Sequence, residues 1–179
     1  MKDKLILKEI LDLKSELYIV KNKLISLISE HGTLVSVGLN IPGWPKYNDK
    51  IEQYFNSCFP IIRRKMRLDV VLYKSINKAG VFYFLESIQT PIALKKLAIE
   101  IEEMDCYFRL IDIDCYNNEG ISINRRALGY GERKCLLCNN DASYCIGNSI
   151  HDSLSLRKKA MSIIVESREK YHKFLGISE

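Results

Sequence analysis

Cys135, Cys138, Cys145 and His151 are spaced C-x2-C-x6-C-x5-H, and no other stretch restricts the fold so tightly. A C-x2-C pair lets two thiolates reach one ion from a tight turn, and a later Cys and His can complete a tetrahedron. Asn139-Asn140-Asp141 and Gly147-Asn148-Ser149 are turn formers, as a chain wrapped around a metal needs. Residues 132–152 therefore read as a Cys/His knuckle around a structural zinc ion. The alternative is a set of reduced packing thiols beside a surface histidine. Six cysteines in a reducing compartment favour metal or packing over disulfides. The compartment is inferred from Met1-Lys2-Asp3-Lys4, which puts charge where a signal peptide would be apolar, and from the lack of a membrane-length apolar run. A cytoplasmic location with no membrane partner is the expectation.

Upstream, Leu110-Ile111-Asp112-Ile113-Asp114-Cys115 is an apolar run holding two carboxylates. On a strand, residues i and i+2 share a face, so Asp112 and Asp114 project together while Ile111 and Ile113 point the other way. Like charges that close are tolerated best with a cation between them. Hard carboxylate oxygens suit Mg²⁺, which usually combines one or two carboxylates with substrate phosphates. A half-buried strand with its polar face in water is the plainer alternative.

Residues 1–31 read as two N-terminal helices with a break near 12–15, where Asp12 or Ser15 would cap the second. Gly32 suits a left-handed residue after that helix. Thr33–Ile41 alternates as a strand, and Pro42-Gly43-Trp44-Pro45-Lys46 breaks it. A rigid loop with a lysine ahead of a helix N-terminus can seat phosphate, or can be an ordinary turn. Asn48 or Asp49 caps a helix to about Met66, which Pro60 should kink or split. Arg63-Arg64-Lys65-Met66-Arg67 is the densest basic run, set at a helix end. Two strands around Asn77-Lys78-Ala79-Gly80 follow as a hairpin, then a helix capped by Thr90 with Pro91 in its first turn. The Asp112 strand should pair with a short strand, Ile121-Ser122-Ile123. After the knuckle, Ser153 or Ser155 starts a long helix with Leu156, Ala160, Ile163, Ile164 and Tyr171 inward. At 179 residues and 47% hydrophobic content this is one α+β domain, 1–179: a mixed sheet of about five strands with packed helices. The net charge of +5 fits a polyanionic ligand or acidic partner and is too mild to imply nucleic acid.

Several blocks together resemble the citrate lyase holo-acyl-carrier-protein synthases, the CitX family. These are Arg109-Leu110-Ile111-Asp112-Ile113-Asp114, Asn124-Arg125-Arg126-Ala127-Leu128-Gly129, Arg133-Lys134-Cys135-Leu136-Leu137-Cys138, then Cys145 and His151. Pro42-Gly43-Trp44-Pro45-Lys46 and Ile99-Glu100-Ile101-Glu102 resemble two further family patterns. Asp105-Cys106-Tyr107-Phe108, Asn124 and Gly147 depart from them. The resemblance implies an enzyme of nucleotidyltransferase type. It would move phosphoribosyl-dephospho-coenzyme A from its triphosphoribosyl precursor to a serine of the apo acyl carrier (gamma) subunit of citrate lyase, releasing diphosphate. On that reading Asp112 and Asp114 hold Mg²⁺, Arg109 serves catalysis, and Lys46, Arg125 and Arg133 bind phosphate, since guanidinium forks grip phosphate oxygens. Glu102 reads as a solvated helix residue rather than a third carboxylate. Arg63, Arg64, Lys65 and Arg67 lie outside the motifs and read as a surface for the acidic carrier. The competing reading is a zinc-stabilised, non-enzymatic module for an acidic partner or nucleic acid.

Overall fold

The structure is a computed structural model and describes residues 2–68 and 70–175. It is α+β. Strands β1 (Thr33–Leu39), β2 (Val70–Asn77), β3 (Gly80–Ser87) and β4 (Ile111–Tyr116) form one sheet in the order β2-β3-β1-β4. All three pairings are antiparallel. The sheet thus differs from the mixed, five-stranded one expected. Ile121-Ser122-Ile123 reaches β4 only through a Tyr116–Ser122 bridge and one bond from Ile123 N–H to the Cys115 carbonyl at 3.1 Å. Beyond it, side chains occupy the edge that a fifth strand would have taken.

Alternation decides what lies on each face. Val35, Val37, Ile111, Ile113 and Cys115 point to one side. They pack there under α2 (Asp49–Met66), α3 (Pro91–Met104) and α5 (Ser153–Leu175). On the other face Leu34 and Phe84 meet Leu17, Val20, Leu24 and Ile25 of α1 (Lys2–Ile25). The molecule is therefore helix, sheet, helices, and the second face is covered only in part.

α1 is one helix, not two. Ser15 Oγ donates to the Leu11 carbonyl at 2.9 Å, so its hydroxyl is satisfied within the helix instead of capping a new one. The stripe Ile10, Leu13, Leu17, Val20, Leu24 continues through the supposed break. Gly32 is not left-handed. A Cβ there would lie 2.7 Å from Ser29 Oγ, so close approach explains the glycine. α2 is capped by Asn48, whose Oδ1 accepts from Ile51 N–H at 3.0 Å, and it runs through Pro60 without splitting. α3 has Thr90 as its cap and Pro91 in its first turn. α5 is capped by Asp152, which accepts from Ser155 N–H at 2.8 Å. Tyr171 lies within α5, but the inward placement of its side chain lies outside what the structure describes. Among the described residues no helix is long and apolar enough to cross a membrane.

Candidate active site and metal centre

β4 sits at the sheet edge, and its outward backbone groups are satisfied by side chains. Glu102 Oε1 accepts from Ile113 N–H at 2.9 Å, and Lys95 Nζ donates to the Ile113 carbonyl at 2.6 Å. Arg133 Nη2 donates to the Ile111 carbonyl. Glu102 is therefore 4% exposed, not solvated. Its other oxygen meets Arg125 Nη2 at 2.6 Å and Arg133 Nε at 3.8 Å. A helix-periodic sequence offers no sign of this, because the partners arrive from 11 to 31 residues downstream. Lys95, likewise buried, was not picked out by the sequence and also reaches Asp114 Oδ1 at 3.3 Å.

This braced strand presents Asp112 and Asp114 on the sheet face that α1 leaves open. Opposite them on β1 lie Gly38 and Ser36. Gly38 is a flat spot: a Cβ there would meet the Phe82 ring at 2.9 Å. The cleft above it, about 430 Å³, is lined by Asp112, Asp114 and Tyr116 of β4 and by Lys14, Lys21 and Lys46, with Lys21 Nζ 4.8 Å from the centre of the Tyr116 ring. Burial, then the Asp114 charge, raises the Asp112 carboxyl above its usual range, against the pull of Arg133 at 3.0 Å. Burial raises the Tyr116 phenol to about 12, helped by Asp114.

The cleft also holds cations. Lys46 folds back to the Ile41 carbonyl. Its pKa falls, first through burial and then through Lys14 and Arg157. Arg157, behind the loop, donates to the Pro42 carbonyl at 3.2 Å. Among the described residues Lys14, Lys21, Lys46 and Arg157 have no acidic partner, so the charge is left over for an anion. The sequence singled out Lys46 alone. Lys14 and Lys21 looked like ordinary polar positions of α1, and their spacing of seven, placing them on one helix face, was the available signal.

The remaining arginines divide. Arg133 bridges Asp112, Ile111 and Glu102. Arg125 is held between Glu102 and Glu103, one layer behind the cleft. Asn124 Oδ1 accepts from Ala127 N–H at 2.8 Å, a turn bond that a serine there could also make. Arg109 Nη2 donates to the carbonyls of Lys134 and Cys135, both at 2.7 Å, and so clamps the knuckle to the start of β4.

The knuckle folds on backbone bonds, Cys135 N–H to the Asn140 carbonyl at 2.8 Å and Ala142 N–H to the Arg133 carbonyl at 2.7 Å. A short helix, α4 (Ala142–Gly147), then delivers Cys145. The ligand atoms of Cys135, Cys138, Cys145 and His151 lie within 4.8 Å of one another, so the group could hold a metal. Cys138 Sγ is 3.5 Å from Cys145 Sγ and 3.2 Å from His151 Nε2. Tetrahedral zinc with bonds of about 2.3 Å to sulfur needs comparable spacings. Burial pushes the Cys135 thiol up, but backbone N–H donors from Leu137 and Cys138 outweigh it and bring its pKa down. Cys145 is pushed up to about 12 by burial and its neighbouring thiols.

A sequence profile of the CitX family, apo-citrate lyase phosphoribosyl-dephospho-CoA transferase, matches residues 5–167. The chain belongs to this family. Its CitX relatives include a probable apo-citrate lyase phosphoribosyl-dephospho-CoA transferase of Streptococcus pyogenes serotype M3, 29% identical over 76% of this chain and 73% of that protein. One of the same name from Vibrio cholerae serotype O1 (strain M66-2) is 30% identical over 70% of this chain and 74% of its own length. Protein CitXG of Leuconostoc mesenteroides subsp. cremoris is 30% identical over 66% of this chain, yet the match spans only 26% of that longer protein. The match to the CitX profile takes in most of α1, the cleft, the knuckle and most of α5.

Proposed function

We propose that this chain transfers phosphoribosyl-dephospho-CoA from its triphosphoribosyl precursor to a serine of the apo acyl carrier subunit of citrate lyase. The observation that carries this reading is the mixed charge of the cleft: Asp112 and Asp114 share it with Lys14, Lys21 and Lys46, which have no acidic partner among the described residues, and Gly38 lies opposite Asp112 on β1. A triphosphate with Mg²⁺ suits both kinds of charge at once.

Mg²⁺ held by Asp112 and Asp114 would neutralise charge on the donor's phosphate oxygens. The donor set fits it: two carboxylates on one strand face, where burial and the Asp114 charge raise the Asp112 pKa and a cation would offset both. Lys14, Lys21 and Lys46 take the outer phosphates and stabilise the departing diphosphate. Arg133 fixes the Asp112 carboxylate, and Lys95 fixes that of Asp114, so both stand ready before the donor binds. The serine oxygen bonds to the first phosphorus, the bond to the bridging oxygen breaks, diphosphate leaves with that electron pair, and the hydroxyl proton goes to the medium. Arg109 serves as a clamp for the knuckle. Zinc is the ion that best fits three thiols and an imidazole, and its work there is structural. On this reading the protein works in the cytoplasm.

The test is direct. Purified protein, apo carrier subunit, triphosphoribosyl precursor and Mg²⁺ are incubated and the carrier is weighed. A mass increase matching the prosthetic group, with diphosphate released, is expected. Asp112→Asn and Asp114→Asn should each cut the rate more than about a hundredfold while the fold survives. An unmodified carrier, or a double variant turning over normally, would overturn the reading.

A further inference from the structure

The loop after β1 has two sides. Ile41 and Lys46 line the phosphate cleft, whereas Pro42 and Gly43 line a second cavity of about 370 Å³. The knuckle, including its Cys135, Cys145 and His151, and the first turn of α5 form the other sides of this half-open cavity. Leu136, Ala142, Ile146 and Leu156 give it an apolar wall, and Arg133 and Lys134 a charged side. Its size and its mix of apolar surface with a few convergent polar groups are those of a small-molecule site. Phosphoryl transfer by itself uses none of that apolar surface. Two residues join this cavity to the cleft. Asn40 lines both. Arg133 lines the cavity while its Nη1 lies 3.0 Å from Asp112 Oδ1, on the cleft side. A ligand with its phosphates beside Asp112 therefore has an apolar recess within reach, across Asn40.

We propose that this cavity seats the adenosine end of the donor's dephospho-CoA portion while the triphosphate lies in the Asp112 cleft, an assignment that rests on the transferase reading above. Three features favour adenosine over the pantetheine arm. Leu136, Ile146 and Leu156 supply aliphatic surface against which a purine ring can lie. The exposed Asn40 side chain, which lines the cavity, has the donor and acceptor that an adenine edge needs. Arg133 and Lys134, although paired with Asp112 and Asp141, give the cavity positive charge for the nucleotide's own diphosphate. A pantetheine chain would give up more conformational freedom for the same contact.

Calorimetric titration with 3′-dephospho-CoA, and separately with inorganic triphosphate plus Mg²⁺, tests this. Ala142→Trp fills the cavity. Ile146→Ser strips its wall at a side chain that is 74% exposed, so the fold is not at risk. Both variants should weaken dephospho-CoA binding by at least about fivefold and leave triphosphate binding within about twofold. Adenosine diphosphate should displace dephospho-CoA from the wild type, and pantetheine should not. Full dephospho-CoA affinity in Ile146→Ser, equal loss of both ligands, or displacement by pantetheine alone would each overturn the assignment. A wild type that binds dephospho-CoA with the expected variant pattern, yet never modifies an apo carrier, would keep the cavity and overturn the transferase reading instead.

Discussion

Glu102 shows how much one buried carboxylate can organise. It accepts from the Ile113 backbone, pairs with Arg125 and approaches Arg133, all within a few ångströms of the Asp112 strand. Removing one partner of a buried pair costs about 3–5 kcal/mol, because the others are left desolvated and unpaired. Glu102→Ala should therefore lower unfolding free energy by roughly that amount, read from the denaturant midpoint at constant slope. A loss under about 1 kcal/mol would mean that Arg125 finds water instead. Asp112 behaves oppositely. Its folded-state carboxyl is raised, first by burial and then by Asp114, so the folded protein holds that proton to higher pH than the unfolded chain does. Its contribution to stability thus falls as pH rises from the ordinary carboxylate range through the raised value. In the metal-free protein, Asp112→Asn should flatten the stability profile above the ordinary carboxylate range and leave the neutral-pH protein at least as stable. Asp112 and Asp114 were legible because a two-residue period fixes a strand face. Glu102 and Lys95 were not, because helical periodicity says which way a side chain points but not which loop will cover it.

At the scale of elements, caps and turns were the most readable. Asn48, Thr90 with Pro91, and the Asn77–Gly80 hairpin turn are local chemistry and form where local chemistry puts them. The supposed break in α1 was misread from polar residues that a long surface helix tolerates once its apolar stripe is continuous. The missing fifth strand had adequate local propensity, but Lys95, Glu102 and Arg133 hold the edge it needed. The knuckle was legible as a ligand set, while its attachment was not. Arg109 holds it through the Lys134 and Cys135 carbonyls, one of which belongs to a ligand residue. Groups that orient metal ligands from outside are commonly worth 10–100-fold in metal affinity. Arg109→Ala should therefore weaken zinc binding by at least about tenfold in competition with a chromogenic chelator, with the helical circular dichroism signal retained. Unchanged zinc affinity would reduce the clamp to packing.

For the molecule as a whole, the helical layer and the cleft lie on opposite faces of the sheet. Arg63, Arg64, Lys65 and Arg67 close α2 at the end remote from Lys46, and eighteen helical residues span roughly 27 Å. Arg63 is also committed to the Leu68 carbonyl at 3.0 Å. A carrier seated on that run would hold its serine far from the Asp112 cleft. Arg64→Ala with Lys65→Ala and Arg67→Ala should accordingly shift the apparent KM for the carrier by less than about twofold at moderate salt. A severalfold rise that fades with salt would make the run a docking surface after all. The rim of β4 has a consequence of another kind. An unprotected sheet edge invites a strand from a neighbouring molecule, and here the neighbour is turned away by three charged side chains already bonded to the Ile111 and Ile113 backbone. The residues that hold the carboxylates ready thus also keep the protein from adhering to its own copies, so a lesion at Lys95 or Glu102 would compromise solubility together with chemistry.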